Sequence, residues 1–495
     1  MFKPRHIERI KDVILVVLFF TTMLLLYFLW QNPMVDSFKL SSIISDDNEV
    51  VEIPSLEEVT KPEDTIVNFG GGEYASIHHE EFSAWGQLKQ VLNQFGKEEG
   101  IVAERITKEQ YEQIMEFKSI KYTFSYDIPF NAFSELFNLP RVQGSDMIGT
   151  VFSIAYSSGS PESLFIYDKK NEGYFRLISE SEEYTKALEE LMAKVEDSSY
   201  TTHYTIGTLV GTSNQTVLPL NLMTNLADIP YSTEIDTKEA DYIREFAQSF
   251  FGDSLDFVRR IEESKGNIIY MYGYSDKTLT ITPNNGIEYK EKEGPAGSDV
   301  GYLKSLEIAL EYVGTHGGWK TYDGANITPY VKSVTRIESD NNKGYRFVFG
   351  MEFDKKGIYY ENNEPIVVEV LGDRVTNYTR NLIQVDPKAK ELNEMTPEKE
   401  AFSAVNMIAK NYKYIYKVLL EEGYEFEING DKEMFETISN MIESIEEGYF
   451  KPESESDEEM KLIPAWIVKV DSFMMYFDLF NAKPLGYTNV SASRG

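Results

Sequence analysis

The chain has 495 residues, with 48 Lys and Arg against 81 Asp and Glu, and it contains no cysteine. Its formal charge of −33 argues against nucleic acid as the main partner, because phosphate binding depends on clustered Lys and Arg. The lack of cysteine excludes disulfides, cysteine-bound zinc, iron–sulfur clusters and a thiol nucleophile. A content of 42% hydrophobic and 13% aromatic residues is typical of a globular chain. This length predicts roughly two to four domains.

One segment near the start is almost entirely apolar. It runs from Val13 to Trp30, and its only clearly polar members are Thr21 and Thr22. As a helix it would span roughly 27 Å, close to the roughly 30 Å of a bilayer core. The pattern predicts a single transmembrane helix over 13–30. The alternative is a cleaved signal peptide, which is disfavoured because no small-residue cleavage site follows Trp30.

The charges that flank this segment predict its orientation. Basic residues precede it in excess over acidic ones, which places the N-terminus in the cytoplasm by the positive-inside rule. Residues 1–12 are therefore predicted to be a cytoplasmic tail, and the bulk of the chain is predicted to be extracellular at the cell membrane. Residues 31–61 contain a stretch rich in Ser, Asp and Glu that predicts a partly ordered stalk.

Residues 62–236 predict a first extracytoplasmic α+β domain. Gly70-Gly71-Gly72 would close a hairpin between strands at Thr65–Phe69 and Tyr74–His78. Apolar residues at helical spacing follow from Phe82 to Phe95, and Thr107 with Gln110 forms a predicted capping box. Alternating patterns then predict an antiparallel sheet from strands at Lys121–Tyr126, Met147–Tyr156, Leu164–Asp168 and Tyr174–Ile178. A helix is predicted from Ser181 to Val195, and Gly211 to Asp236 is predicted to be the passage to the next domain.

Two further units, 237–386 and 387–495, share an order of helix followed by antiparallel meander. In the first, helices are predicted up to Phe251 and over 302–313, with a stop at Gly317-Gly318. Its strands are predicted at 267–272, 278–282, 286–289, 330–338, 345–353, 366–371 and 374–378. In the second, after a polar joint at 387–395, helices are predicted over 396–421 and 434–445. Its strands are predicted at 462–470, 474–479 and 484–487. The overall prediction is an α+β fold with three extracytoplasmic domains.

The sequence contains few candidates for chemistry. His78-His79-Glu80-Glu81 is the one cluster that resembles a metal site, but adjacent histidines on a strand point to opposite faces, so a solvated strand end is the favoured interpretation. His316 is explained by a helix stop before a packed tryptophan. Asp457-Glu458-Glu459, within an acidic loop at 451–461, lacks the spacing of a calcium loop. We therefore predict no catalytic residues, no metal site and no cofactor, although a carboxylate pair for glycoside hydrolysis stays open.

Motifs scattered along the chain carry a family resemblance. They are Asn68 to Gly72, Leu218-Pro219-Leu220, Phe250 to Arg259, Ile268-Ile269-Tyr270, Gly286 to Tyr289, His316 to Trp319, Val375 to Arg380, Leu462 to Val468 and Tyr476-Phe477-Asp478. Together with an N-terminal helix that begins at Ile10, this set and its order resemble the YycH family, membrane-anchored regulators of the WalK/WalR (YycG/YycF) two-component system of low-GC Gram-positive bacteria. The stalk and the acidic loop at 451–461 are longer than is usual there.

The resemblance implies a non-enzymatic protein. It implies a sensor histidine kinase (WalK-like) and a YycI-like protein as partners, a role in cell-wall homeostasis, and a body whose last two domains are related to YycI. It also implies that contact with the kinase is made mainly by transmembrane helices. The predicted partner-binding face is the stripe Leu15, Leu18, Thr22, Leu25, Leu26 and Leu29. The alternative for each of these residues is that its side chain faces lipid. The competing hypotheses are a membrane-anchored wall or polysaccharide-processing enzyme and an extracellular ligand sensor.

Overall fold

In the computed structural model of the protein, the described residues are 53–97, 100–178, 183–198, 200–235, 240–283, 286–294, 299–319, 328–339, 342–385, 389–453 and 460–490. The predicted tail, the predicted transmembrane helix and most of the stalk lie outside these ranges. Within them, no helix is both long enough and apolar enough to cross a membrane. Residues Glu52–Gly495 form one compact unit, and the division into three domains stays a prediction.

A nine-stranded sheet is built from the first part of the described chain, in the order β3-β7-β6-β5-β4-β1-β2-β8-β9. Neighbouring strands of this sheet pair antiparallel, which is the predicted arrangement. The strands are β1 (Asp64–Gly70), β2 (Glu73–Ile77), β3 (Val102–Ile106), β4 (Ser119–Pro129), β5 (Thr150–Ser157), β6 (Ser163–Asp168), β7 (Gly173–Ile178), β8 (His203–Thr205) and β9 (Val217–Pro219).

Helices accompany this sheet where the sequence has apolar residues at helical spacing. They are α1 (Leu56–Val59), α2 (Ala84–Phe95), α3 (Lys108–Met115), α4 (Phe130–Leu136), α5 (Glu183–Glu196) and α6 (Ile206–Val210). The predicted capping box is confirmed, because the Thr107 side chain accepts from Gln110 N–H and the Gln110 side chain accepts from Thr107 N–H. Helix α2 buries Trp85, Leu88 and Phe95 against the sheet.

A second, fifteen-stranded sheet is formed by described residues of the rest of the chain. Its strands are β11 (Ile229–Thr233), β12 (Arg259–Glu262), β13 (Ile268–Tyr272), β14 (Lys277–Thr282), β15 (Gly286–Glu291), β16 (Thr328–Glu338), β17 (Lys343–Phe353), β18 (Lys356–Tyr360), β19 (Ile366–Leu371), β20 (Arg374–Arg380), β21 (Ile383–Val385), β23 (Ile442–Lys451), β24 (Lys461–Val470), β25 (Phe473–Asp478) and β26 (Pro484–Asn489). Strands β10 (Met223–Thr224) and β22 (Lys399–Glu400) form a separate short pair.

The helices of this second part are α7 (Ala240–Phe251), α8 (Tyr302–Thr315), α9 (Ala389–Met395), α10 (Ala404–Glu421) and α11 (Asp431–Met441). Both predicted meanders are present, and β18 pairs with β23 in parallel, so that one sheet runs through both units. The predicted helix stop is also confirmed, because Gly317 and Gly318 have φ of 106° and 72° and Gly318 N–H donates to Val313 O at 2.8 Å.

Two predicted elements are wrong in detail. The expected helix over 434–445 ends at Met441, and Ile442 opens strand β23, because a few apolar residues at three-to-four spacing do not distinguish a helix end from a strand start. The expected polar joint at 387–395 contains helix α9, and the helix expected from 396 begins only at Ala404, after the strand β22.

The passage from Gly211 to Asp236 connects the two sheets. It contains three short strands with different partners: β9 pairs in the first sheet, β10 pairs with β22, and β11 pairs with β21 and β24 of the second sheet.

Polar contacts join the two sheets directly. The Ser125 hydroxyl donates to Val331 O at 2.7 Å, and the hydroxyls of Tyr126 and Tyr302 lie 2.7 Å apart. Lys61 Nζ lies 3.2 Å from Glu352 Oε2. This last contact lies beside the histidines singled out in the sequence.

Candidate functional site

The predicted partner-binding face lies outside the described residues. Leu15, Leu18, Thr22, Leu25, Leu26 and Leu29 all belong to the segment 13–30, so their arrangement stays a prediction. The same holds for Asp457-Glu458-Glu459 of the acidic loop. The other candidate residues lie within the described part of the chain, in two contrasting places.

The first place is the turn after β2, which contains His78 and His79. The strand ends at Ile77, and Glu81 N–H donates to His78 O at 2.9 Å while Trp85 N–H donates to His79 O at 3.0 Å. The chain then enters α2 through Phe82 and Ser83, which both have left-handed φ, 51° and 58°. These bonds hold the histidine backbone in a fixed turn.

The turn brings the two imidazoles to the same side of the chain, where a third residue joins them. Their ring centroids are 3.8 Å apart, and His78 Nε2 lies 3.7 Å from Oε1 of Glu352 on strand β17. His78, His79 and Glu352 each offer a ligand atom, and these atoms lie within 4.8 Å of one another. We call these three residues the histidine cluster.

The expected arrangement of these histidines is therefore wrong. Adjacent residues point to opposite faces only while the chain is extended, and β2 ends one residue before His78. His79 is not solvated either, since it is 3% exposed. The partner Glu352 lies far away in sequence, and no local signal indicates that it would meet the histidines.

The charges around the histidine cluster set its protonation. Burial, with a smaller effect from Lys61, lowers the pKa of His79 to about 3, so this imidazole is neutral at pH 7. Burial acts to raise the pKa of Glu352, but the neighbouring His78 and Lys61 outweigh it and bring that pKa to about 2. The cluster thus contains a neutral imidazole beside an ionised carboxylate.

The second place is the fully buried side chain of Arg380, at the end of β20. Its guanidinium donates to both carboxylate oxygens of Glu234, at 2.6 and 2.8 Å, and to the carbonyl oxygens of Gly317 and Gly318, at 3.1 and 2.7 Å. We call these four residues the arginine centre. It ties the end of helix α8 and strand β20 to the chain that follows β11.

Aromatic residues of the resemblance motifs surround the arginine centre. Phe250 packs on Tyr289 at 5.0 Å, His316 at 4.7 Å and Tyr378 at 6.1 Å between ring centroids. His316 also stacks on Tyr312 at 3.8 Å, its Nδ1 lies 2.8 Å from Tyr312 O, and burial lowers its pKa to about 4. His316 is therefore a neutral packing residue, which agrees with the helix-stop interpretation.

The first resemblance motif also has a structural role. Asn68 donates from Nδ2 to the carbonyl oxygens of Met115 and Phe117, and its Oδ1 accepts from Gly70 N–H at 2.9 Å. Gly70, Gly71 and Gly72 all have positive φ. The motif is a turn that fixes the end of α3 against the end of β1.

A surface pocket of about 200 Å³ contains several carboxylates, so it bears on the enzyme alternative. Its described carboxylates already have partners. Glu291 accepts from the Tyr289 hydroxyl at 2.8 Å, Glu293 accepts from the Ser339 hydroxyl at 2.7 Å, and Asp373 lies 3.8 Å from Arg374. The pocket contains groups of both signs, and Glu291, Glu293 and Asp373 each have a hydrogen-bond or charged partner.

Glu446 on β23 differs from these surface carboxylates. Burial, reinforced by the charge of Glu63, raises the pKa of Glu446 to about 8, and the Tyr359 hydroxyl donates to its Oε1. A raised pKa is found at catalytic sites and also at structural ones. Here the group lies where the two sheets meet.

The comparisons with known proteins complete this description. Residues 8–198 match the family model for the N-terminal domain of the YycH protein. This match covers 191 of the 495 residues and supports the YycH family. The matched range includes the apolar segment 13–30 and the turn that contains His78 and His79. No curated protein matches the sequence.

A solved structure of a YycH protein has the same fold. The crystal structure of YycH from Bacillus subtilis aligns over 85% of this chain and 96% of that chain with a TM-score of 0.55, at 13% sequence identity. The C-terminal domain of YpeB from Bacillus megaterium covers 50% of this chain and 96% of that chain at 10% identity, with a TM-score of 0.25 that is too low to indicate a common fold.

The likeness to YycH proteins bears on function. It supports a regulator of the WalK two-component system that associates with the histidine kinase WalK. The resemblance inferred from the scattered motifs is thus confirmed. Several of those motifs prove to be packing and turn residues of the body.

Proposed function

We propose that the chain is a membrane-anchored regulator of a WalK-like sensor histidine kinase and that it acts through its transmembrane helix together with a YycI-like partner. The observation that supports this most is the family match over residues 8–198, because that range includes the apolar segment 13–30. The N-terminal tail would lie in the cytoplasm, and the body would lie outside the cell.

The physical basis of the regulation is contact between helices within the bilayer. Thr21 and Thr22 lie near the middle of the span, where a hydroxyl hydrogen bond to a neighbouring helix is worth about 0.6–2 kcal/mol. A contact of this size, made in only one of two kinase states, shifts their ratio several-fold. The face we assign to the kinase is Leu15, Leu18, Thr22, Leu25, Leu26 and Leu29.

The body would then position the helix and bind the YycI-like protein. Its motif residues are used for packing around the arginine centre, and the described carboxylates of its surface pocket are paired. These features support regulation over the alternative of a wall-processing enzyme. An extracellular ligand sensor would instead require the body for signalling, and deletion of residues 65–487 with the helix retained tests for it.

The experiment that tests the proposal is photocrosslinking in cells. A photoreactive residue is placed in turn at Leu18, Thr22 and Leu25, which share one helix face, and at Phe20 and Tyr27, which lie on the opposite face as matched controls. We expect crosslinks to a histidine kinase from the first three positions and weak or no crosslinks from the controls. Labelling of lipid alone at all five positions would contradict the proposal.

A further inference from the structure

The histidine cluster has a feature that packing does not explain. His79 is 3% exposed, and its Nε2 has no hydrogen-bond partner. The Nε2 of His78 is also buried without one, at 3.7 Å from Glu352. Buried polar atoms of folded proteins are nearly always paired, so two unpaired ring nitrogens beside one carboxylate require an explanation.

The donor set matches one class of ligand. Two imidazole nitrogens and one carboxylate oxygen suit Zn²⁺ and related first-row cations, whereas Mg²⁺ and Ca²⁺ prefer oxygen ligands alone. The ligand atoms lie within 4.8 Å of one another, and a tetrahedral zinc site would bring them to about 3.3 Å. Binding would therefore require the side chains to rotate and draw the three ligand atoms together.

The cluster is also accessible from one side. The side chains of His78 and Glu352 are 14% and 13% exposed, while His79 forms the buried end. A fourth position, on the exposed side, would be filled by water.

Two neighbours oppose metal binding and make the idea testable. Lys61 Nζ lies 3.2 Å from Oε2 of Glu352, so it competes for the carboxylate and repels a cation. Glu80 N–H donates to His78 Nδ1 at 3.3 Å, and binding at Nε2 requires the ring proton to move to Nδ1 at the expense of that long bond. The oxygen that faces His78 is Oε1, which Lys61 does not use.

We propose that His78, His79 and Glu352 bind one Zn²⁺ ion or a first-row cation of the same class. The ligands come from the turn after β2, in the first sheet, and from β17, in the second. The bound ion joins the two sheets at the place where Lys61 already bridges them. The metal site does not depend on the proposed kinase contact.

The test uses the purified full chain in detergent micelles, stripped with a chelator and titrated with Co²⁺ and then Zn²⁺. We expect one equivalent of Co²⁺ to give the visible bands of a tetrahedral site, and Zn²⁺ to displace it. Glu352→Gln and His79→Leu should weaken binding by roughly tenfold or more, the size of effect reported for groups around metal sites. Zn²⁺ should also raise the unfolding midpoint of the parent and not that of Glu352→Gln.

Three further variants keep the test decisive if a ligand variant fails to fold. Glu80→Gln removes a neighbouring carboxylate and His6→Ala removes a histidine that is far from the cluster in sequence, and both should bind as the parent does. Lys61→Met removes the competing ammonium and should bind Zn²⁺ several-fold more tightly. The proposal is overturned if no stoichiometric band forms, if the ligand variants bind as the parent does, or if Lys61→Met leaves affinity unchanged or weakens it.

Discussion

The arginine centre and the histidine cluster are both built from polar groups in buried surroundings, yet they differ in how those groups are satisfied. The guanidinium of Arg380 donates to four acceptors, two on Glu234 and one each on Gly317 and Gly318. The histidine cluster contains two ring nitrogens without a hydrogen-bond partner.

This difference separates a structural role from a binding role. A buried charge whose hydrogen-bond acceptors all come from the same chain has no free position for a ligand. Its role is to hold together the elements that provide those acceptors. Ring nitrogens that lie close to a carboxylate and lack partners can still accept a ligand.

Loss of the Arg380 side chain should give the largest effect. Arg380→Met leaves the Glu234 carboxylate buried without its partner, and we expect the free energy of unfolding to fall by about 3–5 kcal/mol. Denaturant unfolding of the full chain measures it. Arg336→Met is the matched control, because Arg336 pairs with Asp299 at the surface and should cost less than about 1 kcal/mol.

The double variant Arg380→Met/Glu234→Met sharpens the same prediction. It removes both charges, so it should recover a large part of the stability lost in Arg380→Met alone. If the double variant is no more stable than the single one, the ion pair is not what makes the arginine centre structural.

The backbone beside the arginine centre should be nearly as sensitive. Gly286 has φ of +70°, and a Cβ there would lie 1.9 Å from the carbonyl oxygen of Arg380. We expect Gly286→Ala to cost about 2–4 kcal/mol from strain and overlap, measured by thermal or denaturant unfolding. Gly423 has φ of +92° with open space around it, so Gly423→Ala should cost about 1 kcal/mol. Equal costs would contradict the account.

Glu446 is intermediate between the arginine centre and the histidine cluster in how its polar group is satisfied. Its carboxyl has one hydroxyl donor, and its pKa is raised. In the folded protein the Glu446 carboxyl stays protonated up to about pH 8. In the unfolded chain it loses its proton in the ordinary range of Glu, near pH 4.5. Glu446 therefore makes stability fall as pH rises through this window. Glu446→Gln should remove that loss, so its stability advantage over the parent should grow between pH 5 and pH 8 by up to about 1.4 kcal/mol for each pH unit.

Glu443 provides the control of opposite sign. Burial acts to raise its pKa, but Lys469 and Lys169 outweigh burial and lower it. Stability from Glu443 is therefore present at neutral pH and lost as pH falls through the lowered pKa. Denaturant unfolding at several pH values should show Glu443→Gln losing stability at pH 7 and approaching the parent in acid. If Glu446→Gln and Glu443→Gln change stability in the same direction, the assignment of Glu446 is wrong.

The sequence was informative where a pattern is local. The glycine hairpin after β1, the capping box at Thr107, the helix stop at Gly317-Gly318 and the meanders all follow from residues that are neighbours in the chain. Strands rich in charge were missed. Arg259–Glu262 and Ile442–Lys451 are strands, although their acidic and basic residues mask the alternation.

The candidate sites were harder to predict because they depend on contacts between distant residues. His78 and His79 were visible as a cluster, but the turn that aligns their rings begins one residue earlier than expected. The approach of Glu352 depends on how the two sheets pack. The pairing of Arg380 with Glu234 was not predicted. From the sequence, a buried arginine cannot be distinguished from any other cation at a strand end, because its acceptors are not known.

A helix swap tests the proposed regulation through the predicted transmembrane helix. Residues 13–30 are replaced by an unrelated apolar helix of the same length, with 1–12 and 31–495 unchanged, and kinase-dependent transcription is measured in cells whose own copy is deleted. We predict that the swapped protein reaches the membrane at the parent's level and regulates no better than the deletion. Full regulation by the swapped protein would contradict the account and assign the activity to the body.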